Sequence, residues 1–132
     1  MRITIETIPH GEQRYPTAGD WLFLGDPPTE LRIRVSSLDD WRMEALVAVH
    51  EVLEAILCQA RGISEEAVTE FDELFERARM ADPENFWLQG EPGDNPAAPY
   101  YREHFFATSI ERLLAAELGI DWVVYEADVD KL

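Results

Sequence analysis

The amino-acid sequence predicts an α+β fold, a small antiparallel sheet of about three strands packed against three helices, and three observations support this. Apolar and polar residues alternate in Ile3-Thr4-Ile5-Glu6 and again in Leu31-Arg32-Ile33-Arg34-Val35, the period of strands with one buried face. From Trp41 to Arg61 the chain runs without Pro or Gly, long enough for a helix of about 20 residues. Further along, Val68, Phe71, Leu74, Phe75 and Ala78 recur at helical spacing.

Taken in order, the first strand covers Arg2 to Ile8 and is stopped by Pro9-His10-Gly11, which gives His10 a turn role in preference to a ligand role. Trp21 to Leu24 is a second strand, joined to Leu31–Val35 through the turn-forming Gly25-Asp26-Pro27-Pro28. Ser36 to Asp40 supplies N-cap candidates for the first helix, and Gly62 closes it. Ser64 caps a second helix whose Glu65 and Glu66 suit the positive end of its dipole. Residues 82–99 hold four Pro and two Gly and are expected to form a long mobile loop. A third helix from Tyr100 to Leu118, adjacent to the first, ends at Gly119, and Asp121 to Tyr125 returns as a short strand or final turn. The 132 residues are thus expected to form a single domain, with strands in residues 1–38 and mainly helices in 39–132. The aromatics Trp21, Trp41, Phe71, Phe75, Trp87 and Trp122 are expected in the core or anchoring loops.

A net charge of −16, from 27 acidic against 11 basic residues, repels phosphate backbones and excludes direct nucleic-acid binding. The same charge suits capture of a cation or docking onto a basic protein partner. Cys58 is the only cysteine, so there is no internal disulfide and a reducing compartment fits; nothing nearby lowers its pKa for nucleophilic chemistry. No apolar run approaches the roughly 18 residues of a membrane span, and Met1–His10 lacks a signal-peptide apolar segment, so the expected location is the cytoplasm.

The chemistry concentrates in His50-Glu51-Val52-Leu53-Glu54, two strong metal ligands one helical turn apart with a second carboxylate beside them. On a helical wheel the three share one wedge, opposite Trp41, Ala45, Val49, Val52, Leu53 and Ile56, and nearby Met43, Val47 and Cys58 make that wedge semi-buried. On the third helix His104 and Glu111 are seven residues apart on one stripe, where a buried Glu111 needs a partner. If the two helices pack side by side, His50, Glu54, His104 and Glu111 converge as a nitrogen and oxygen ligand set for Zn²⁺ or another divalent ion. Glu51 then stands beside it as the catalytic base. Without a metal the same four residues form a buried polar network.

The segment Val49-His50-Glu51-Val52-Leu53-Glu54-Ala55 resembles the active helix of the zincin metallopeptidases, in which H-E-x-x-H follows a strand. The resemblance implies His50 as first ligand, Glu51 as general base and position 54 as second ligand, with peptide or amide hydrolysis as the activity. Position 54 departs from the family in being Glu. A longer pattern resembles small proteins of bacteriophages and prophages, and implies a bacterial host cell but no activity. It comprises Ala48–Cys58, Arg61-Gly62-Ile63-Ser64, Phe71-Asp72, Gly93-Asp94-Asn95-Pro96, Ala98-Pro99-Tyr100 and Ile110-Glu111-Arg112-Leu113. In that setting the alternative to a metal-dependent hydrolase is an acidic accessory protein that binds and inhibits a basic host factor. Finally, Glu51-x-x-Glu54 and Glu70-x-x-Glu73 resemble the paired carboxylate helices of all-α nucleotide pyrophosphohydrolases, which hold Mg²⁺.

Overall fold

A computed structural model describes residues 1–132 and has α+β architecture: three strands, β1 (Arg2–Ile8), β2 (Gly19–Leu24) and β3 (Glu30–Ser36), are followed by four helices. These are α1 (Trp41–Ala60), α2 (Glu65–Ala81), α3 (Tyr101–Glu117) and α4 (Trp122–Asp130). No helix is long and apolar enough to cross a membrane.

The sheet order is β1-β3-β2, and it is mixed where an antiparallel sheet was expected. β2 and β3 form the expected hairpin, but β3 inserts between β2 and β1 and so runs parallel to β1. Alternation along a strand fixes which face is apolar and says nothing about which neighbour it pairs with. The link between β1 and β2 crosses the end of β3 and is pinned there by the buried Ser36. Its backbone N–H donates to Ala18 O at 2.8 Å, its hydroxyl donates to Thr17 O at 3.0 Å, and His10 Nδ1 lies 3.0 Å from Ser36 Oγ. His10 thus has the structural turn role expected of it. Arg14 extends the pinning, holding the buried Asp20 at 2.7 Å and Glu65 of α2 at 2.8 Å.

Leu31, Ile33 and Val35 of β3 are buried and join Trp21, Met43, Leu46, Val47 and Ala55 in one core. α1 begins at Asp40, whose carboxylate accepts the Arg42 N–H at 2.9 Å, and it lies between the sheet and α3. A helix covered on two sides has no single solvated face. Within its wedge His50 and Glu54 are therefore buried, deeper than the sequence indicates, and Glu51 is half-buried, while Trp41 and Ile56 on the opposite arc are exposed.

Ser64 caps α2 as expected, accepting from Ala67 N at 3.1 Å. The buried stripe of that helix is Val68, Asp72 and Phe75; Leu74 and Ala78 face solvent, because the stripe rotates to carry Asp72 inward. Residues 82–99 contain two 3₁₀ turns, Phe86–Leu88 and Pro92–Asp94, and the second packs on α2 and α3. Trp87 in this segment is exposed, as is Trp41, so neither anchors the core. Asp121 starts α4 by accepting the Val124 N–H at 3.0 Å, which makes the segment expected to be a short strand or turn a helix instead.

α3 buries Glu103, Ala107, Glu111 and Ala115 at four-residue steps, with His104 beside them. The small Ala107 sits one turn from both His104 and Glu111 and leaves room for α1. Enlarging it by Ala107→Leu is expected to destabilise the protein by about 1–3 kcal/mol through overpacking. Urea denaturation measures this.

Candidate metal centre

α1 sets His50 and Glu54 one turn apart toward α3, and α3 presents His104 from its first turn. The three side chains meet in a triangle. His50 Nε2 and His104 Nδ1 are 3.1 Å apart, and Glu54 Oε2 lies 3.2 Å from the first and 2.9 Å from the second. A tetrahedral ion with nitrogen and oxygen ligands at about 2.0–2.1 Å spaces them by roughly 3.3 Å, so the donor set fits a divalent metal in size and in chemical type.

Each of the three has its remaining polar atom tied down. His50 Nδ1 lies 3.1 Å from Glu111 Oε1, and the hydroxyl of Tyr125 on α4 donates to the other oxygen of Glu111. Glu54 Oε1 accepts the indole N–H of Trp21 on β2 at 3.0 Å. His104 Nε2 lies 3.1 Å from both Asp94 Oδ1 and Glu91 Oε2. Outer partners of this kind fix the ring orientation and tautomer of ligating histidines. Three of the four expected ligands are therefore brought together, and Glu111 is placed differently. It lies behind His50, on the nitrogen turned away from the triangle, because it stands two turns beyond His104 on α3.

Charge stabilises the same arrangement. Burial strongly opposes a charged His50, yet hydrogen bonds to Glu111 and Glu54 outweigh it and hold the imidazole well above its ordinary value. His104 is likewise raised against burial by Asp94, Glu54 and Glu91. Burial pushes Glu54 up, but the two histidines win and hold it below the usual carboxylate range. Glu51 is different: burial and then the charge of Glu54 raise it well above the ordinary value.

Glu51 is half-buried and lines a cavity of about 410 Å³ together with His50, Glu54 and His104. Its side chain lies on the backbone of Gly19, so closely that a Cβ there would come within 2.5 Å of Glu51 Cγ. Gly93 does the same for His104, where a Cβ would fall 2.4 Å from Cγ of the ring. Two glycines thus seat two of the chemical side chains, a requirement invisible in residue spacing.

The cavity is also lined by a set that the sequence reading missed. Buried Asp72 accepts hydrogen bonds from Tyr15 at 3.2 Å and from Tyr100. Burial raises its carboxyl to about 7 against the hydrogen bonds from the two tyrosines. Its signal was an Asp inside the apolar stripe, four residues after Val68 and three before Phe75. Glu103 was missed as well; it is buried, with Arg61 at 3.7 Å. Glu70 and Glu73, the second half of the pyrophosphohydrolase pattern, are exposed and lie off the cavity, so no paired-carboxylate site forms; α2 turns Asp72 and Glu76 inward instead. Cys58 is buried, and burial followed by the charge of Glu54 pushes its thiol up to about 12, which leaves it unreactive.

No protein-family model matches the chain, and no curated protein or solved structure matches it.

Gly93→Ala is expected to drive the His104 ring out of the triangle while the rest of the fold persists. In ¹H–¹⁵N spectra of the imidazoles, the resonances of both His50 and His104 should move, and unchanged spectra would show that the ring tolerates the added methyl. Asp72 gives a pH test. Its folded value of about 7 exceeds the ordinary 3.8, so the contribution of its protonated form is complete below about pH 4 and is lost as pH rises through 7. Asp72→Asn is therefore expected to flatten the fall in stability between those limits, read as melting temperature against pH.

Proposed function

We propose that this protein is a divalent-metal-dependent hydrolase of peptide or amide bonds, with Zn²⁺ the best fit to its ligands. The observation that carries the reading is the triangle of His50 Nε2, His104 Nδ1 and Glu54 Oε2, in which each residue is anchored through its other polar atom. Two imidazole nitrogens facing each other at 3.1 Å leave room for at most one hydrogen between them, so the two rings cannot both take the charged form that their acidic neighbours favour. A cation between them and the carboxylate relieves that constraint for both at once.

His50, Glu54 and His104 would hold the ion, which when bound would supply Lewis-acid polarisation of a carbonyl oxygen and a lowered pKa for water. Glu111 and Asp94 keep the two imidazoles in the ligating tautomer, and Trp21 fixes the rotation of the Glu54 carboxylate. Glu51, seated on Gly19 at the cavity wall, takes the proton of the attacking water. As the water oxygen bonds to the carbonyl carbon and the C–N bond breaks, Glu51 delivers that proton to the leaving nitrogen. The cavity is large enough for a short peptide segment.

The test uses untagged protein, with Zn²⁺ alone as the probe. Zn²⁺ in excess is expected to raise the melting temperature of the wild type, since ligands spread over two helices are not preformed in the unfolded chain. His50→Ala and Glu54→Ala should abolish the rise and bind no metal by elemental analysis. Glu111→Gln, on the side of His50 turned away from the triangle, should weaken Zn²⁺ binding by about 10–100-fold without abolishing it. Glu51→Gln should keep full metal content and lose hydrolysis of a peptide-library substrate. Wild type and His50→Ala melting identically with and without Zn²⁺ would identify the set as a metal-free polar network.

A further inference from the structure

β1 occupies one edge of the sheet, and its apolar side chains lie uncovered on the side that should be buried. Residues paired across a parallel ladder face the same way. Ile3 is paired with Leu31 and Ile5 with Ile33, so all four belong to the core-facing side. Leu31 and Ile33 are buried, whereas Ile3 is 54 % exposed and Ile5 53 %. α1 covers β2 and β3 and stops short of β1.

The free edge has a defined pattern of backbone groups. Arg2 N–H donates inward to Thr29 O, and Ile8 O accepts inward from Ser37 N. By alternation, Arg2, Thr4, Glu6 and Ile8 spend their backbone groups on β3, while those of Ile3, Ile5 and Thr7 point outward. An incoming antiparallel strand must therefore bond to Ile3, Ile5 and Thr7.

We propose that β1 is a homodimerisation edge. Two copies of the chain pair their β1 strands antiparallel about a two-fold axis through Thr4, merging two sheets into one of six strands. The occupant is a second copy because the strand is complementary to itself. With Thr4 opposite Thr4, Ile3 of each copy meets Ile5 of the other as a hydrogen-bonded pair, using the outward groups. Arg2 of each copy meets Glu6 of the other as a non-hydrogen-bonded pair, where side chains approach most closely. Both charges are thus matched twice, and the exposed isoleucines form a row that continues the apolar surface of Leu31 and Ile33. Glu6 already lies 3.4 Å from Arg34 of its own sheet and gains a second cation.

Charges on an edge strand usually block pairing with other strands. Here they select one register. Moving the axis to Ile5 pairs more residues but sets Arg2 against Ile8 and Glu6 against Thr4, which leaves neither charge a partner. The opposing force is the net charge of −16 on each copy, which is screened beyond about 8 Å at physiological salt.

Sedimentation equilibrium at physiological salt tests the interface, and cysteine cross-linking tests the register. The wild type is expected to show a concentration-dependent dimer. Arg2→Glu should weaken it at least tenfold by placing Glu against Glu across both ends of the seam, and the double exchange Arg2→Glu with Glu6→Arg should restore it. Thr4→Cys lies on the axis at a spacing suited to a disulfide, about 4.5 Å between Cα atoms, so it should oxidise to a covalent dimer faster than Thr7→Cys. The only native thiol, Cys58, is buried and does not compete. A wild type that is monomeric up to about 1 mM, where even weak pairing is visible, overturns the proposal. So does a dimer indifferent to both charge variants, or one in which Thr4→Cys links no faster than Thr7→Cys.

Discussion

The approach of His50 to His104 is the constraint around which the other elements are arranged. A nitrogen-to-nitrogen distance of 3.1 Å between side chains on α1 and α3 leaves little freedom in how those helices cross. Two further elements and one loop segment send groups to the same place. β2 contributes Trp21, α4 contributes Tyr125, and the segment before α3 contributes Glu91, Gly93 and Asp94. α1 is held by apolar contact on its sheet side and by polar contact on its α3 side.

The polar side is stable only as a set. Removing one member of a buried ionic group leaves an uncompensated charge at a cost of about 3–5 kcal/mol, whereas the intact group roughly balances its own desolvation. Glu54 is pulled down by the two histidines, and the histidines are raised by Glu54, Glu111 and the acids around the 3₁₀ turn Pro92–Asp94. Glu91 and Asp94 of the segment 82–99 therefore belong to the same set, and Gly93 lets the backbone there lie on the His104 ring.

Much of this was legible in the sequence because the signals are local. Spacing put His50 and Glu54 on one face, the stripe through His104 pointed the third helix at the first, and Ser64, Gly62 and Gly119 marked helix ends as the structure has them. What was not legible depends on neighbours far along the chain. The parallel pairing of β1 follows from β3 inserting between two earlier strands. The position of Glu111 behind His50 depends on where the two helices cross, which periodicity does not give. Asp72 reads as a polar interruption until Tyr15 and Tyr100, 57 and 28 residues away, close on it.

Trp21 gives the molecule an optical property of its own. It is the one tryptophan of four that is buried, and its indole N–H donates to Glu54, the carboxylate shared by both histidines. Indole emission shifts with the polarity and charge around the ring, so a buried tryptophan emits to the blue of exposed ones such as Trp41 and Trp87. Trp122 is half-buried, so Trp21 alone combines full burial with a hydrogen bond to Glu54. A change in the charge on Glu54 therefore acts directly on this one indole.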